Sequence, residues 1–295
     1  MAKDIPHIEF DSKKPDNSGI EILTIENLAE RKDETGHNPE KAHQVTFNMI
    51  VFYTAGESKH LVDFVWHPVK KNTLIHISKG QINAFQFTPE LKGYIILFTE
   101  AYLKKQISTL PKNEIDRLFN AQLFSPIIQV PVDSNVETYI RLFDEEYSNS
   151  QENYNQDNTY SALHTIIFSK LERLKQYQTF HLKRSDKLNT FLSFKTLLEV
   201  HFSKSRNADF YAEKLNITYK HLNTICKETV AITAKQFIDQ FLILEAKRLL
   251  INSELKSTEL AYSLGFEEPT NFVKYFKKHT GFTPNQFKKT IQLDF

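Results

Sequence analysis

The chain has 295 residues, of which 40% are apolar and 25% charged, with 24 Phe, 12 Tyr and only 7 Gly. This composition excludes a disordered or collagen-like chain, and the length suits two globular domains better than one. One Cys excludes an intrachain disulfide framework and a thiolate zinc cluster, which fits a reducing compartment. The segment Met1–His7 has no apolar core of a signal peptide, and the apolar runs Tyr94–Phe98 and Phe241–Leu244 are too short to span a bilayer. The expectation is a cytoplasmic protein without a membrane partner. The net charge of +1 hides an asymmetry: residues 183–295 carry 18 Lys and Arg against 12 Asp and Glu, a net of +6, which leaves −5 for residues 1–182. A basic C-terminal part suits a polyanionic partner.

From Val45 to Phe98, short β-rich runs alternate with turn signals: Val45–Tyr53, Leu61–Trp66, Leu74–Ile77, Ile82–Phe87 and Tyr94–Phe98. The segments between them, among them Ala55–Ser58 and Pro68–Asn72, read as turns. This spacing predicts an antiparallel sandwich or small barrel. His60, Asp63, His67 and His76 fall among these strands, yet no His-x-His occurs anywhere, so neighbouring ligands cannot share a strand face. No metal and no cofactor are expected. The alternative use of such a barrel is a lumen for a small-molecule effector. Its candidate lining is Phe47, His60, Asp63, Trp66, His76 and Phe85, with Phe52, Phe64 and Phe87 as further aromatics, of which half or more serve as core. Residues 134–180 change to helical period, with one stripe of Val136, Tyr139, Ile140, Phe143 and Tyr147 and a second of Tyr160, Leu163, Ile167, Leu171 and Leu174. These two helices either cap the barrel or form a homodimer interface, and a mixture of both is expected.

The back of the chain repeats itself. Ala231–Phe237 matches Gly281–Phe287 at an offset of 50, and Ala212–Ile217 matches Ala261–Phe266 at an offset of 49. Each copy reads as helix, tight turn, helix. Gly265 supplies a positive-φ position in the second copy, where Asn216 stands in the first. Thr218 is a candidate N-cap, Pro269 a first-turn proline, and Thr233/Gln236 and Thr283/Gln286 are capping boxes that open further helices. This is helix-turn-helix chemistry, in which the second helix of each pair enters a major groove. The helix joining the copies, from about Thr233 to Asn252, spans about 30 Å, close to the ~34 Å between successive major grooves on one face of DNA. One chain can then hold two recognition helices in adjacent grooves.

Residues 186–290 resemble the DNA-binding domain of the AraC family of bacterial transcription regulators. Leu264–Lys278, followed by Gly281-Phe282-Thr283-Pro284, carries that resemblance most strongly. The front half resembles the family's cupin-like sensor barrel through Gly56, His60–Asp63 and Gly93–Phe98. The chain departs from the family pattern at Ala231 (usually Gly), Leu242 (usually Arg), Ser257 (usually apolar) and Asn83 (often His). The first three touch packing and the last argues further against a metal. Carried over residue by residue, the resemblance implies that Lys220, Asn223 and Thr224 of the first recognition helix face bases. In the second helix Thr270, Asn271, Val273 and Lys274 do so, while Lys227, Lys277 and Lys278 touch phosphate. Leu222, Ile225, Phe272 and Phe276 face inward, and Cys226 replaces Phe276 as a small buried residue.

The expected fold is therefore α+β and multidomain: a cupin-like antiparallel β-barrel over 1–133, a helical linker or dimerisation segment over 134–182, and an all-α double helix-turn-helix domain over 183–295. The implied partners are promoter DNA, RNA polymerase, a small-molecule effector and a second copy of the chain. The expected function is an effector-responsive activator. The alternatives are a metal-free regulator controlled by abundance or a protein partner, and a cupin-type enzyme with a DNA-binding tail. Catalysis is not expected, because no nucleophile elbow, phosphate-binding glycine loop or His-Glu-x-x-His occurs.

Overall fold

The computed structural model describes residues 6–11, 19–35, 37–106, 126–149, 155–176, 186–252 and 255–294. The chain divides into two compact units, His7–Phe180 and His181–Phe295.

The first unit holds two five-stranded sheets. The strands are β1 (His7–Ile8), β2 (Ile20–Thr24), β3 (His43–Val45), β4 (Asn48–Ala55), β5 (Glu57–Val62), β6 (Val65–Lys70), β7 (Thr73–Ile77), β8 (Ile82–Phe85), β9 (Lys92–Phe98) and β10 (Ile127–Gln129). One sheet runs β1-β3-β8-β5-β6 and the other β10-β7-β4-β9-β2. Every pairing is antiparallel except β1 with β3. Alternation along the second sheet sets its two faces. Leu23, Met49, Val51, Tyr53, Ile75, Ile77 and Ile95 pack toward Val45, Val62, Val69 and Phe85 of the first sheet. Ile20, Ile22, Ile50, Phe52, Leu74, Ile96 and Phe98 point the other way, into helices. Those helices are α2 (Glu100–Gln106), α3 (Val136–Ser148) and α4 (Gln156–Gln176), preceded in the chain by α1 (Ile25–Thr35). Val136, Ile140, Phe143 and Tyr147 meet Tyr160, Ile167, Leu171 and Leu174 on that face, so both stripes are spent on the sheet and on each other. The helix pair thus belongs to the same compact unit as the strands.

Several sequence readings change in three dimensions. The run Leu61–Trp66 is a hairpin, because Asp63 and Phe64 take positive φ at its tip and Leu61 pairs with Trp66. Pro68–Lys70, read as turn, lies in edge strand β6, where a missing N–H is tolerated. Strand β2 and helix α1 lie outside the elements that the sequence pattern predicts. Their polar residues Glu21 and Arg31 form a largely buried ion pair at 2.5 Å, and that pairing is invisible to hydropathy.

The second unit is all helix: α5 (Asp186–His201), α6 (Ala208–Lys214), α7 (Tyr219–Val230), α8 (Ala234–Asn252), α9 (Ser257–Ser263), α10 (Pro269–Thr280) and α11 (Pro284–Asp294). Phe191, Phe194, Tyr211 and Phe237 form one aromatic cluster under the first copy. Phe266, Phe272, Phe276 and Phe287 form another under the second.

Candidate nucleic-acid interface

Local chemistry builds both helix-turn-helix copies. In the first, Thr218 Oγ1 accepts from the His221 N–H at 3.2 Å and caps α7, and Asn216 makes the turn at φ 55°. In the second, Gly265 makes the turn at φ 77° and Pro269 opens α10. A side chain at residue 265 is impossible as well as strained, since a Cβ there would sit 1.9 Å from the Ser203 carbonyl oxygen. Both capping boxes form. Thr233 and Gln236 exchange bonds of 2.9 and 3.1 Å, and Thr283 and Gln286 bonds of 2.9 and 3.3 Å. Helix α8, 19 residues long, therefore separates the copies by roughly 28 Å of helix.

Each second helix divides cleanly. Helix α7 buries Leu222, Ile225, Cys226 and Thr229, and α10 buries Phe272 and Phe276. Burial raises the Cys226 thiol to about 12, so it stays protonated and behaves as a small apolar residue. On the outer faces Lys220, Thr224, Thr270, Asn271 and Lys274 are exposed, as are Lys227, Lys277 and Lys278, while Val273 is half-buried. Asn223 differs from the sequence reading. It is half-buried, and its Oδ1 accepts from the Ala234 N–H at 3.1 Å, which ties α7 to the start of α8. A helix start leaves its first amides without partners, and the Asn223 amide is the nearest acceptor.

Sequence reasoning missed the residues that join the two copies. Tyr275 of α10 donates to Asp239 of α8 at 2.7 Å, and Lys235 pairs with the same carboxylate oxygen at 2.5 Å. Burial and that carboxylate push the Tyr275 hydroxyl pKa upward, so it remains a donor. Arg206, in the loop before α6, stacks 3.9 Å over the Phe266 ring, beside a 490 Å³ groove that Lys204 and Lys235 also line. Tyr219, at the first position of α7, is exposed beside Lys220. No short motif links Arg206 to Phe266 or Asp239 to Tyr275, whose partners lie 36 or more residues apart.

The first unit contains a separate cavity of about 390 Å³ between its sheets. Phe47 and Phe85 line it, together with Leu23, Met49, Arg31 and His43. Four other expected lining residues lie elsewhere. His60 is fully buried behind the wall, with its ring centre 4.4 Å from that of Phe85. Asp63 holds the hairpin tip by accepting from Gln81 at 2.7 Å. Trp66 is exposed on β6. His76 alternates with Ile75 and Ile77 and so shares the face of Leu74, toward the helices. The buried polar groups form two short segments, Tyr53–His60 and Asn83–His43–Lys41. The Tyr53 hydroxyl donates to His60 Nδ1 at 2.7 Å, Asn83 donates to His43 Nε2 at 3.2 Å, and His43 Nδ1 donates to the Lys41 carbonyl at 2.9 Å. Burial lowers His43 to about 4 and His60 to about 3, so both rings are neutral near pH 7. Among the described residues no group of three His, Cys, Asp or Glu side chains is placed to hold a metal ion.

A family match falls on the duplicated helices. A helix-turn-helix domain family matches residues 211–290. The transcriptional activator RhaS of Escherichia coli is 26% identical over 132 residues, 44% of this chain and 46% of that protein. The Msm operon regulatory protein of Streptococcus mutans is 26% identical over 121 residues, 40% and 44% of the two chains. Residues 211–290 thus carry a helix-turn-helix domain of the kind found in transcription regulators.

Each match covers less than half the length of these relatives. A solved structure of ToxT from Vibrio cholerae aligns with 93% of this chain and 99% of its own, at 12% identity and a TM-score of 0.47. Ala231 takes the left-handed C-cap of α7 at φ 60°, the role that Gly281 fills at φ 81° after α10. Leu242 is buried in α8, which accounts for an apolar residue at that point. Ser257 donates to Asn285 at 2.9 Å, tying the start of α9 to α11.

Proposed function

We propose that this protein is a sequence-specific DNA-binding transcription regulator that reads promoter DNA with α7 and α10 in successive major grooves. One observation carries the reading. In both copies the inner face of the second helix is spent on core, while Lys220, Thr224, Thr270, Asn271 and Lys274 stand exposed on the outer face. Lys220 and Lys274 suit guanine edges and Asn271 an adenine edge, with Lys227, Lys277 and Lys278 on phosphates. Asn223 contributes through its remaining N–H donors, since its oxygen is engaged by Ala234. RhaS is named an activator, and we assign the same sign here. The cavity of the first unit supports control by a small-molecule effector without catalysis. Leu142 and Ile166, exposed on α3 and α4, support a homodimer. Among the described residues no helix is long and apolar enough to cross a membrane, and we place the protein in the cytoplasm, where it would meet DNA and RNA polymerase.

The test is selection of genomic fragments by the purified protein, beside a Lys220→Ala/Lys274→Ala double variant. A two-part site with halves about one helical turn apart, lost in the variant, is the expected outcome. Each base contact removed costs about 1–3 kcal/mol and relaxes preference at one position. Lys277→Ala instead weakens binding evenly and lowers the salt slope by about 1. Equal enrichment of unrelated fragments by parent and variant would refute the reading.

A further inference from the structure

The cavity of the first unit has a chemical sign. On β2, Leu23 packs into the space between the sheets while Ile20 and Ile22 face the helices, and alternation sends the Glu21 side chain the same way as Leu23. Glu21 is 2% exposed, in a wall shared with Leu23, Met49, Ile95 and Leu97. A carboxylate in such surroundings needs its lone pairs filled. Arg31 donates to Oε1 at 2.5 Å, and no other described residue donates to Glu21, which leaves Oε2 with acceptor capacity on the cavity side.

The Glu21–Arg31 pair is neutral as a unit, so the remaining lining decides what charge the cavity prefers. Among the described lining residues, Glu9 and Asp11 are exposed, Arg31 is the only Lys or Arg, and the histidines are His7, also exposed, His37 and His43. His37 and His43 add no positive charge near pH 7, because burial lowers both. Three carboxylates against one guanidinium repel an anion and attract a cation. Phe10 and Phe47, packed edge to face at 5.9 Å, and Phe85 supply ring faces for a positive centre. The volume admits about a dozen non-hydrogen atoms.

We propose that this cavity binds an organic cation: an apolar, aromatic-compatible body carrying one protonated amine that donates to Glu21 Oε2. The proposal rests on the effector reading of the first unit and names the class of effector. The guanidinium of Arg31 holds Glu21 ionised and oriented, the apolar wall takes the body, and Glu9 and Asp11 draw the cation in.

Three probes with one body separate the possibilities: phenylbutylammonium, phenylbutanol and phenylbutyrate, titrated calorimetrically into the full chain at pH 7. The ammonium binds about tenfold or more tighter than either analogue, in line with one charge-assisted hydrogen bond. Glu21→Gln removes that preference. Because this change leaves Arg31 uncompensated, the double variant Glu9→Gln/Asp11→Asn is measured beside it. There the fold is untouched, and the ammonium affinity falls about twofold to threefold at low salt and not at high salt. Phenylbutyrate binding as tightly as the ammonium, or no probe binding at all, overturns the proposal. Affinity for the selected DNA is read with and without saturating ammonium. Ammonium-selective binding that leaves DNA affinity unchanged upholds the cation site and refutes the effector reading. Loss of the ammonium preference with DNA selection intact refutes the cation site alone.

Discussion

The two compact units of this chain handle polar groups in opposite ways. The C-terminal unit keeps most of them outside: its two clusters are aromatic and aliphatic, and the lysines of its second helices are exposed, with Thr229 the one fully buried polar residue among those described. The N-terminal unit buries them. His43, His60, Asn83, Glu21 and, between α4 and the sheet, His164 are each 5% exposed or less. An apolar interior needs only volume and pattern, whereas a polar interior needs every partner in place. The first kind of unit survives changes of charge state that unmake the second.

Acid breaks this comparison most strongly. Burial lowers His43 to about 4 and both His60 and His164 to about 3, from an ordinary 6.5. Between those limits the unfolded chain binds more protons than the folded one, so stability is full above pH 6.5 and falls as pH drops toward 4. At pH 5 each histidine withdraws about 2 kcal/mol. Trp66, the only tryptophan, lies in the N-terminal unit, so its fluorescence melt should shift down between pH 7 and 5. The far-UV helix signal, with seven helices of the C-terminal unit contributing, should shift much less. Equal shifts would mean that the histidine burial does not govern the difference.

Next in size is the apolar core of the second copy. Phe276 is fully buried against Phe272 and Phe287, and Phe276→Ala should cost about 3–5 kcal/mol in denaturant unfolding followed by helix content. At the matching place in the first copy, Cys226→Ala should cost only about 1 kcal/mol, because one sulfur is lost. Similar costs at the two positions would show that the copies are not packed alike. The smallest effect is a gain. Ala231 holds φ 60° where Gly281 closes the second copy, and Ala231→Gly should stabilise by about 1 kcal/mol by relieving left-handed strain. A loss would mean that the Ala231 methyl group is needed by its neighbours.

The same contrast explains what could be read in advance. Thr218, Thr233, Gln236, Asn216, Gly265 and Pro269 act within four residues of their own positions, so caps, turns and helix ends of the repeat were legible. The inward set Leu222, Ile225, Phe272 and Phe276 followed from helical period. The tie of Asn223 was not legible, because its partner, the Ala234 amide, lies 11 residues away in another helix. Trp66 lies outside the cavity because the hairpin tip at Asp63 and Phe64, two non-glycine residues at positive φ, sets the faces of β6, while His76 lies on the Leu74 face of β7 in the other sheet.

By itself the sequence determined the duplication, the second helix of each copy and its buried face, because local hydrogen bonding and a 3.6-residue period are written in neighbouring positions. The tertiary structure decided the rest. It brought Glu21 to Arg31 and His43 to Asn83, joined Tyr275 to Asp239, and left one carboxylate oxygen facing a cavity. Pairings across strands and helices depend on register and on burial of distant groups, which no local pattern encodes.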